Sequence, residues 1–325
     1  MVKKSLILFL TNNCNLNCKY CFIKKDKQQS KLDFSKYKEV IDNNNKQISS
    51  ITFFGGEPLL YIDLIESIIN YNKEKKYHFQ YILNTNATLI NDQAMEIIKK
   101  NNILVNASLD GNIISNSNNR FGEIIFKKVI NNIYKLKQND IEVIINYVIT
   151  PNNIDHLYES LHFFKEQSIN KIALLFDYEA IWQEKDLQKL KKQLEKSLDI
   201  FSNISNKDFI IYPIYSKVLA ILENKEISKC RFGEETIVLS RTGELYPCIS
   251  FVDDKAYQMI DFNHHYNNTV NVSKCNNCKY LRLCTNNCMC RYKNNHNNEI
   301  DINCEIEKII IDLAATIVNN WFKNK

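Results

Sequence analysis

Ser5-Leu6-Ile7-Leu8-Phe9-Leu10-Thr11-Asn12-Asn13-Cys14-Asn15-Leu16-Asn17-Cys18-Lys19-Tyr20-Cys21 is the stretch that decides how the rest of the chain is read. The apolar run at residues 6–10 predicts a buried strand. The loop leaving it spaces its cysteines C-x3-C-x2-C, with aromatic Tyr20 before the last. Three thiolates can hold three irons of a 4Fe-4S cube and leave the fourth iron open to a small molecule. A structural zinc site is the competing reading. It requires four ligands, however, and the nearest histidine is His78.

The 325 residues are 45% hydrophobic and 24% charged, enough for one large core or for a core with a smaller module. The net charge of +5 is modest, and basic pairs such as Lys75-Lys76, Lys99-Lys100 and Lys191-Lys192 are isolated along the chain. That pattern describes solvated surface and speaks against a nucleic-acid partner. No segment approaches the roughly 20 consecutive apolar residues of a membrane helix, and the first apolar run is shorter than a signal-peptide core. A cytoplasmic protein without a membrane partner is expected. Its 11 cysteines are then no disulfide framework, because a reducing compartment would not keep one oxidised. Metal ligation accounts for them better.

Outward from the first loop, β-rich runs at residues 6–10, 51–54, 81–83, 103–107, 143–149 and 172–176 alternate with helical patterns at 33–43, 61–74, 91–100, 123–138 and 153–166. Asp or Asn at several helix starts predicts caps. Six strand–helix units predict an α/β fold with a parallel sheet. Right-handed crossovers curve such a series toward a full or partial TIM-like (β/α)6 barrel, with its chemistry at the C-terminal strand ends. Residues 183–203 and 214–223 read as two further helices. Residues 229–305 then hold eight of the 11 cysteines and almost no long periodic segment, so metal must replace part of a core there. Helical spacing returns at 305–321. The expected organisation is a core at 1–180, bridging helices at 181–228 and a cysteine-rich module at 229–325.

Gly55-Gly56-Glu57-Pro58 closes the second strand run, using two of the chain's six glycines. Glycines there clear Cβ atoms from the path of a ligand, and Glu57 can accept an ammonium group. Together with the cysteine triplet, this segment resembles the radical S-adenosylmethionine (SAM) superfamily. The resemblance implies a SAM-binding 4Fe-4S cluster on Cys14, Cys18 and Cys21, with Gly55, Gly56, Glu57 and Pro58 at the methionine amine. It further implies Ser108 at the ribose, Asn84 and Asp110 in the same layer, and Arg120 near the SAM carboxylate. In that chemistry one electron, from a donor such as flavodoxin or ferredoxin, splits the sulfonium. The 5′-deoxyadenosyl radical released takes a hydrogen from the substrate.

The C-terminal cysteines read Cys230-x12-Gly243-x4-Cys248, then Cys275-x2-Cys278-x5-Cys284-x3-Cys288, then Cys304. A zinc ribbon would explain Cys275 and Cys278 alone. The full register resembles the SPASM extension of peptide-modifying radical SAM enzymes, and Gly243 fits a hairpin between 237–239 and 245–247. The resemblance implies two auxiliary 4Fe-4S clusters, three in all. Cys275, Cys278, Cys284 and Cys304 would hold one; Cys230, Cys248 and Cys288 would hold the other. Either Cys290 completes that second cluster or one of its irons stays open.

Two enzymatic readings follow from the resemblance: maturation of a ribosomally made peptide by crosslinking, thioether formation or epimerisation, and formylglycine formation of the sulfatase-maturase type. Sulfatase maturases usually carry an aspartate after the second SPASM cysteine, where this chain has Ile249. The expected partner is a peptide or small-protein substrate, which could add as a strand to an exposed edge, its leader recognised either by a separate leader-binding protein or by the barrel and SPASM surfaces. Tyr147, Asp177, Tyr178 and Glu179 are candidates for the substrate end of the cavity. A non-catalytic iron-sulfur scaffold is the reading from another class.

Overall fold

The computed structural model describes residues 3–23, 30–201, 209–264, 266, 275, 277–285 and 301–323. Strands β1 (Lys4–Phe9), β2 (Ile48–Phe54), β3 (Gln80–Thr85), β4 (Leu104–Ser108), β5 (Val143–Ile149) and β6 (Lys171–Phe176) stand side by side in chain order, each parallel to the next. β7 (Ile210–Tyr212) extends the sheet beyond β6. At the opposite edge β8 (Thr236–Leu239) pairs in parallel with β1, and β9 (Leu245–Tyr246) turns back antiparallel to β8.

Sequential order without a reversal places every right-handed crossover on the same side of the sheet. α1 (Phe34–Asn44), α2 (Ile62–Glu74), α3 (Asp92–Lys100), α5 (Glu123–Gln138) and α6 (Leu157–Glu166) therefore share one layer, joined by a short α4 (Ile113–Asn119). The strand faces beneath them are sealed, with Leu6, Leu8, Ile51, Phe53, Val105, Ala107, Ile145 and Ile172 at 0% exposure. α5 answers with Phe126, Val129, Ile130, Ile133 and Leu136, the stripe expected at helical spacing. Several of the alternate strand positions are polar and half-buried, namely Asn84, Asn106, Ser108 and Asn146, beside the apolar Ile82, Leu104, Ile144 and Val148. A parallel sheet covered on both faces would be apolar at every position. This one alternates because its second face is open. The α/β barrel expected from the sequence is present in incomplete form, with no ladder joining β7 to β9 among the described residues.

Local chemistry sets the boundaries. Asp33, Asn91 and Asn112 cap α1, α3 and α4 by accepting from Ser35 N, Ala94 N and Ser115 N at 2.8, 2.9 and 3.0 Å. Gly243, at φ +98°, makes the β8–β9 turn, where Ser240 N donates to Glu244 O at 2.8 Å. α7 (Glu184–Lys196) and α8 (Ile214–Leu222) follow the barrel strands, and α9 (Ile302–Lys323) packs against both. No helix among the described residues is long and apolar enough to cross a membrane.

Candidate active site

From the end of β1, residues 11–13 carry the chain across the end of β2 to Cys14. Gly56 N donates to Thr11 O at 2.7 Å and Glu57 N to Asn13 O at 2.8 Å. A Cβ on Gly55 would stand 2.5 Å from Thr11 O, and one on Gly56 would stand 2.1 Å from Asn13 O. The nearest atoms that demand glycine are thus the backbone of the cysteine loop. The pair fastens that loop to β2, a reason distinct from the ligand clearance inferred from sequence.

Glu57 is fully buried. Its Oε1 accepts from Thr85 Oγ1 at 2.7 Å and Leu59 N at 3.1 Å, and its Oε2 accepts from Asn86 N at 2.7 Å. Burial pushes its pKa up to about 7 against the pull of these bonds and of Arg120. The sequence reading aimed this carboxylate at a ligand ammonium, whereas here three protein donors from the β2 and β3 ends engage it. Asn86 extends the connection: its Nδ2 reaches Asn15 Oδ1 at 2.9 Å and Cys14 Sγ at 3.7 Å.

The other side of the loop is tied to β4 and α4. Lys19 N donates to Asn119 O at 2.9 Å. Tyr20 Oη donates to Asp110 Oδ2 at 2.7 Å, and Asp110 Oδ1 accepts from Val148 N at 3.0 Å. Arg120 Nε lies 3.0 Å from Asp110 Oδ2, its guanidinium carbon lies 5.3 Å from the Tyr20 ring centroid, and its Nη1 reaches Cys18 Sγ at 3.7 Å. Burial alone would lower the Arg120 pKa, but Asp110 beside it overrides this and holds the guanidinium charged. Burial pushes the Cys18 thiol up, opposed by the adjacent Arg120. Asp110 and Arg120, read separately from the sequence, form one buried pair behind the cysteine loop.

Asn84 and Ser108 occupy the open face, Asn84 paired in register with Asn106 and Ser108 with Asn146. Asn106 Oδ1 is buried with no hydrogen-bond partner among the described residues. Asn106 and Asn146 escaped the sequence reading, although polar residues at alternate positions of β4 and β5 were a usable signal. Tyr147, by contrast, points into the helix layer. It is fully buried, with its hydroxyl 3.0 Å from Ser115 Oγ, so it is no part of the open face. Asp177 Oδ1 accepts from Glu179 N and Ala180 N at 3.0 and 3.2 Å, which makes it a turn former.

Among the described residues, none of Cys14, Cys18, Cys21, Cys230, Cys248, Cys275, Cys278, Cys284 and Cys304 is in a disulfide. Cys278 N donates to Cys275 O at 3.1 Å, and Lys308 on α9 lies within electrostatic reach of both Cys278 and Cys304. Cys288 and Cys290 lie outside the described residues. Among the described residues no three Cys, His, Asp or Glu side chains surround a single-ion position. A multi-iron cluster takes one thiolate per iron. The N–H groups of Arg120 and Asn86 directed at Cys18 and Cys14 fit thiolate ligands of that kind.

Residues 8–164 match the profile of the Radical SAM superfamily. An uncharacterized protein of Methanocaldococcus jannaschii is 33% identical over 256 residues, 75% of this chain and 84% of that protein. A cysteine-type anaerobic sulfatase-maturating enzyme of Clostridium novyi is 25% identical over 88% of each chain. The radical SAM cyclopropyl synthase TigE of Paramaledivibacter caminithermalis is 24% identical over 98% of this chain and 75% of that one. Among solved structures, hexahistidine-tagged anSMEcpe with bound AdoMet superposes with a TM-score of 0.82 at 22% identity, covering 99% of this chain and 96% of the other. The clamped cysteine loop, the sequential parallel sheet and these matches agree: the chain belongs to the radical SAM superfamily.

Proposed function

We propose that this chain is a radical SAM enzyme that modifies a peptide or small protein, with SAM and a 4Fe-4S cluster at Cys14, Cys18 and Cys21. The observation that supports this most directly is the loop's double clamp, to Gly56 and Glu57 on one side and to the Asp110–Arg120 pair on the other. Pre-positioning of that kind is what a reactive centre needs from its protein. When bound at Cys14, Cys18 and Cys21, a 4Fe-4S cluster with SAM would supply one-electron cleavage of the sulfonium and hydrogen abstraction from the substrate. The chain's own residues do the rest. Arg120 and Asn86 offset thiolate charge at Cys18 and Cys14. The open-face groups Asn84, Asn106, Ser108 and Asn146 offer hydrogen bonds to SAM or substrate at the strand ends.

Cys275, Cys278, Cys284 and Cys304 are assigned to one auxiliary cluster, and Cys230, Cys248 and Cys288 to a second, in a module spanning 229–325. Flavodoxin or ferredoxin would deliver electrons, and a separate protein could present the peptide leader. Peptide maturation is favoured over formylglycine formation by the residues after Cys248. Ile249 carries no base. Asp253 is held by Arg241 Nη1 at 2.9 and 3.0 Å, and Asp254 accepts from Ala256 N at 3.2 Å. The sulfatase-maturase reading retains the support of the Clostridium novyi relative. Anaerobic reconstitution with iron and sulfide, followed by SAM and dithionite, should release 5′-deoxyadenosine, and Cys18→Ala should release none. Absence of release from the reconstituted wild type would leave the scaffold reading.

A further inference from the structure

A cavity of about 410 Å³ opens beside the two ends of the cysteine loop, at Asn12 and at Phe22 and Ile23. Its apolar walls come from three directions: the end of β1 (Phe9), the residues after Cys21 (Phe22, Ile23) and the segment after Cys248 (Ile249, Val252). The cavity lies where β1 neighbours β8, and its wall residues Phe9, Ile23, Ile249 and Val252 share one apolar cluster with Phe54 at the end of β2, the Phe9 and Phe54 ring centroids 5.7 Å apart. The volume falls within the range of ordinary ligand pockets. Phe22 remains 44% exposed at the cavity, and on the polar part of the wall the carboxylate of Asp253 is already held by Arg241.

Asn12, which also lines the cavity, supplies the second observation. It is only 7% exposed, and its Oδ1 is buried with no hydrogen-bond donor among the described residues. A buried amide oxygen without a donor is unfavourable, so it marks a place where a ligand N–H or O–H is worth binding. The rest of the lining, Ser250, Asp253, Asp254 and Lys255, is polar or charged, so it is the apolar part of the wall beside this unanswered acceptor that has the features to recognise a peptide residue with an aliphatic side chain and a backbone N–H.

We propose that this cavity seats an aliphatic residue of the substrate peptide, whose backbone N–H donates to Asn12 Oδ1 while its side chain packs against Phe9, Ile249 and Val252. The assignment rests on the reading of the chain as a peptide-modifying enzyme and names one of that enzyme's subsites. It selects leucine-, isoleucine- or valine-type residues over glycine, which would leave the apolar walls uncovered.

The test uses the reconstituted full chain and three probes: N-trifluoroacetyl-leucine N-methylamide, its glycine counterpart, and the leucine probe methylated on the residue's own nitrogen, each followed by fluorine NMR titration. Wild-type protein should bind the leucine probe at least about tenfold more tightly than the glycine probe, as burial of a leucine side chain implies. Methylating the nitrogen should weaken binding about fivefold, the size of one net hydrogen bond. In Asn12→Ala the two leucine probes should bind alike, and Val252→Trp, which fills the cavity from the opposite wall, should abolish binding. Equal binding of the leucine and glycine probes, or no effect of nitrogen methylation on the wild type, overturns the proposal. Assaying 5′-deoxyadenosine release on the same samples separates the two readings. Release without selective probe binding defeats only the subsite, whereas selective binding without release leaves the subsite standing and defeats the enzymatic reading.

Discussion

Lys217 Nζ lies 2.8 Å from Glu307 Oε2, with the two side chains 0% and 3% exposed, and this pair joins α8 to α9. Lys217 also donates to Leu283 O at 2.7 Å, while Glu307 accepts from Thr285 N at 3.2 Å and from the Thr285 hydroxyl. The pair therefore fixes the chain on both sides of Cys284, three residues from Cys304 in α9. Removing one partner strands a charge in the interior. Lys217→Met alone should cost about 3–5 kcal/mol, whereas Lys217→Met with Glu307→Leu should recover most of that loss. Denaturant titration of the two variants checks the order, and equal destabilisation by single and double replacement would contradict it.

Arg120→Ala leaves Asp110 buried without its cation, with Tyr20 and Val148 N as its remaining donors among the described residues. A loss of about 3–5 kcal/mol is expected. Asp110→Asn with Arg120 intact should also loosen Tyr20 and lower iron content at the first cluster. Iron analysis and thermal denaturation together test this. Full iron and full stability in Arg120→Ala would show that the pair does not brace the loop.

Gly56→Ala places a methyl group 2.1 Å from Asn13 O, so either the cysteine loop or the strand end must move. The expected result is loss of about four irons per chain, matching Cys18→Ala, if the cluster at the first cysteine loop is a cube. Gly122→Ala is the control, because no atom lies within 4 Å of the added carbon. Equal iron in both glycine variants would refute the clamp.

Glu57 gives a pH signature. Its carboxyl titrates near 4.5 when unfolded and at about 7 when folded, because burial disfavours the anion more than its three donors favour it. Between those values the folded chain binds more protons. The contribution is therefore fully present below the unfolded pKa and is lost as pH rises through about 7, a change of roughly 3 kcal/mol. Glu57→Gln removes the titration. The stability difference between wild type and variant should shift against the wild type from about pH 5 to about pH 8. A difference that is flat or of opposite sign would refute the buried-carboxyl account.

The strands and helices of the first 176 residues were legible because their periods differ, two against three and a half or so, and because Asn and Asp mark the helix starts. α4 was not. Its buried face is Ser115, Asn116 and Asn119, held by hydrogen bonds such as Asn116 Nδ2 to Phe121 O at 3.1 Å, and no apolar stripe announces it. The parallel pairing of β8 with β1 was equally hidden, since a four-residue strand carries no record of its partner over 230 residues away. At the site, the cysteine spacing and the glycine pair at the β2 end could be read from the sequence. What holds them could not. The Asp110–Arg120 pair, the engagement of Glu57 by Thr85 and Asn86, and the unanswered oxygen of Asn12 all depend on which strand ends meet.

The sheet finishes in very short strands, three residues in β7 and two in β9, and Met259 N already donates to Leu245 O at 2.8 Å on the outer side of β9. Long unpaired edges are the templates on which chains stack into insoluble assemblies. A protein that must stay intact while awaiting the metals its cysteines call for gains from offering so little edge. The same shortness would leave any peptide that docked at these margins few backbone groups to pair with.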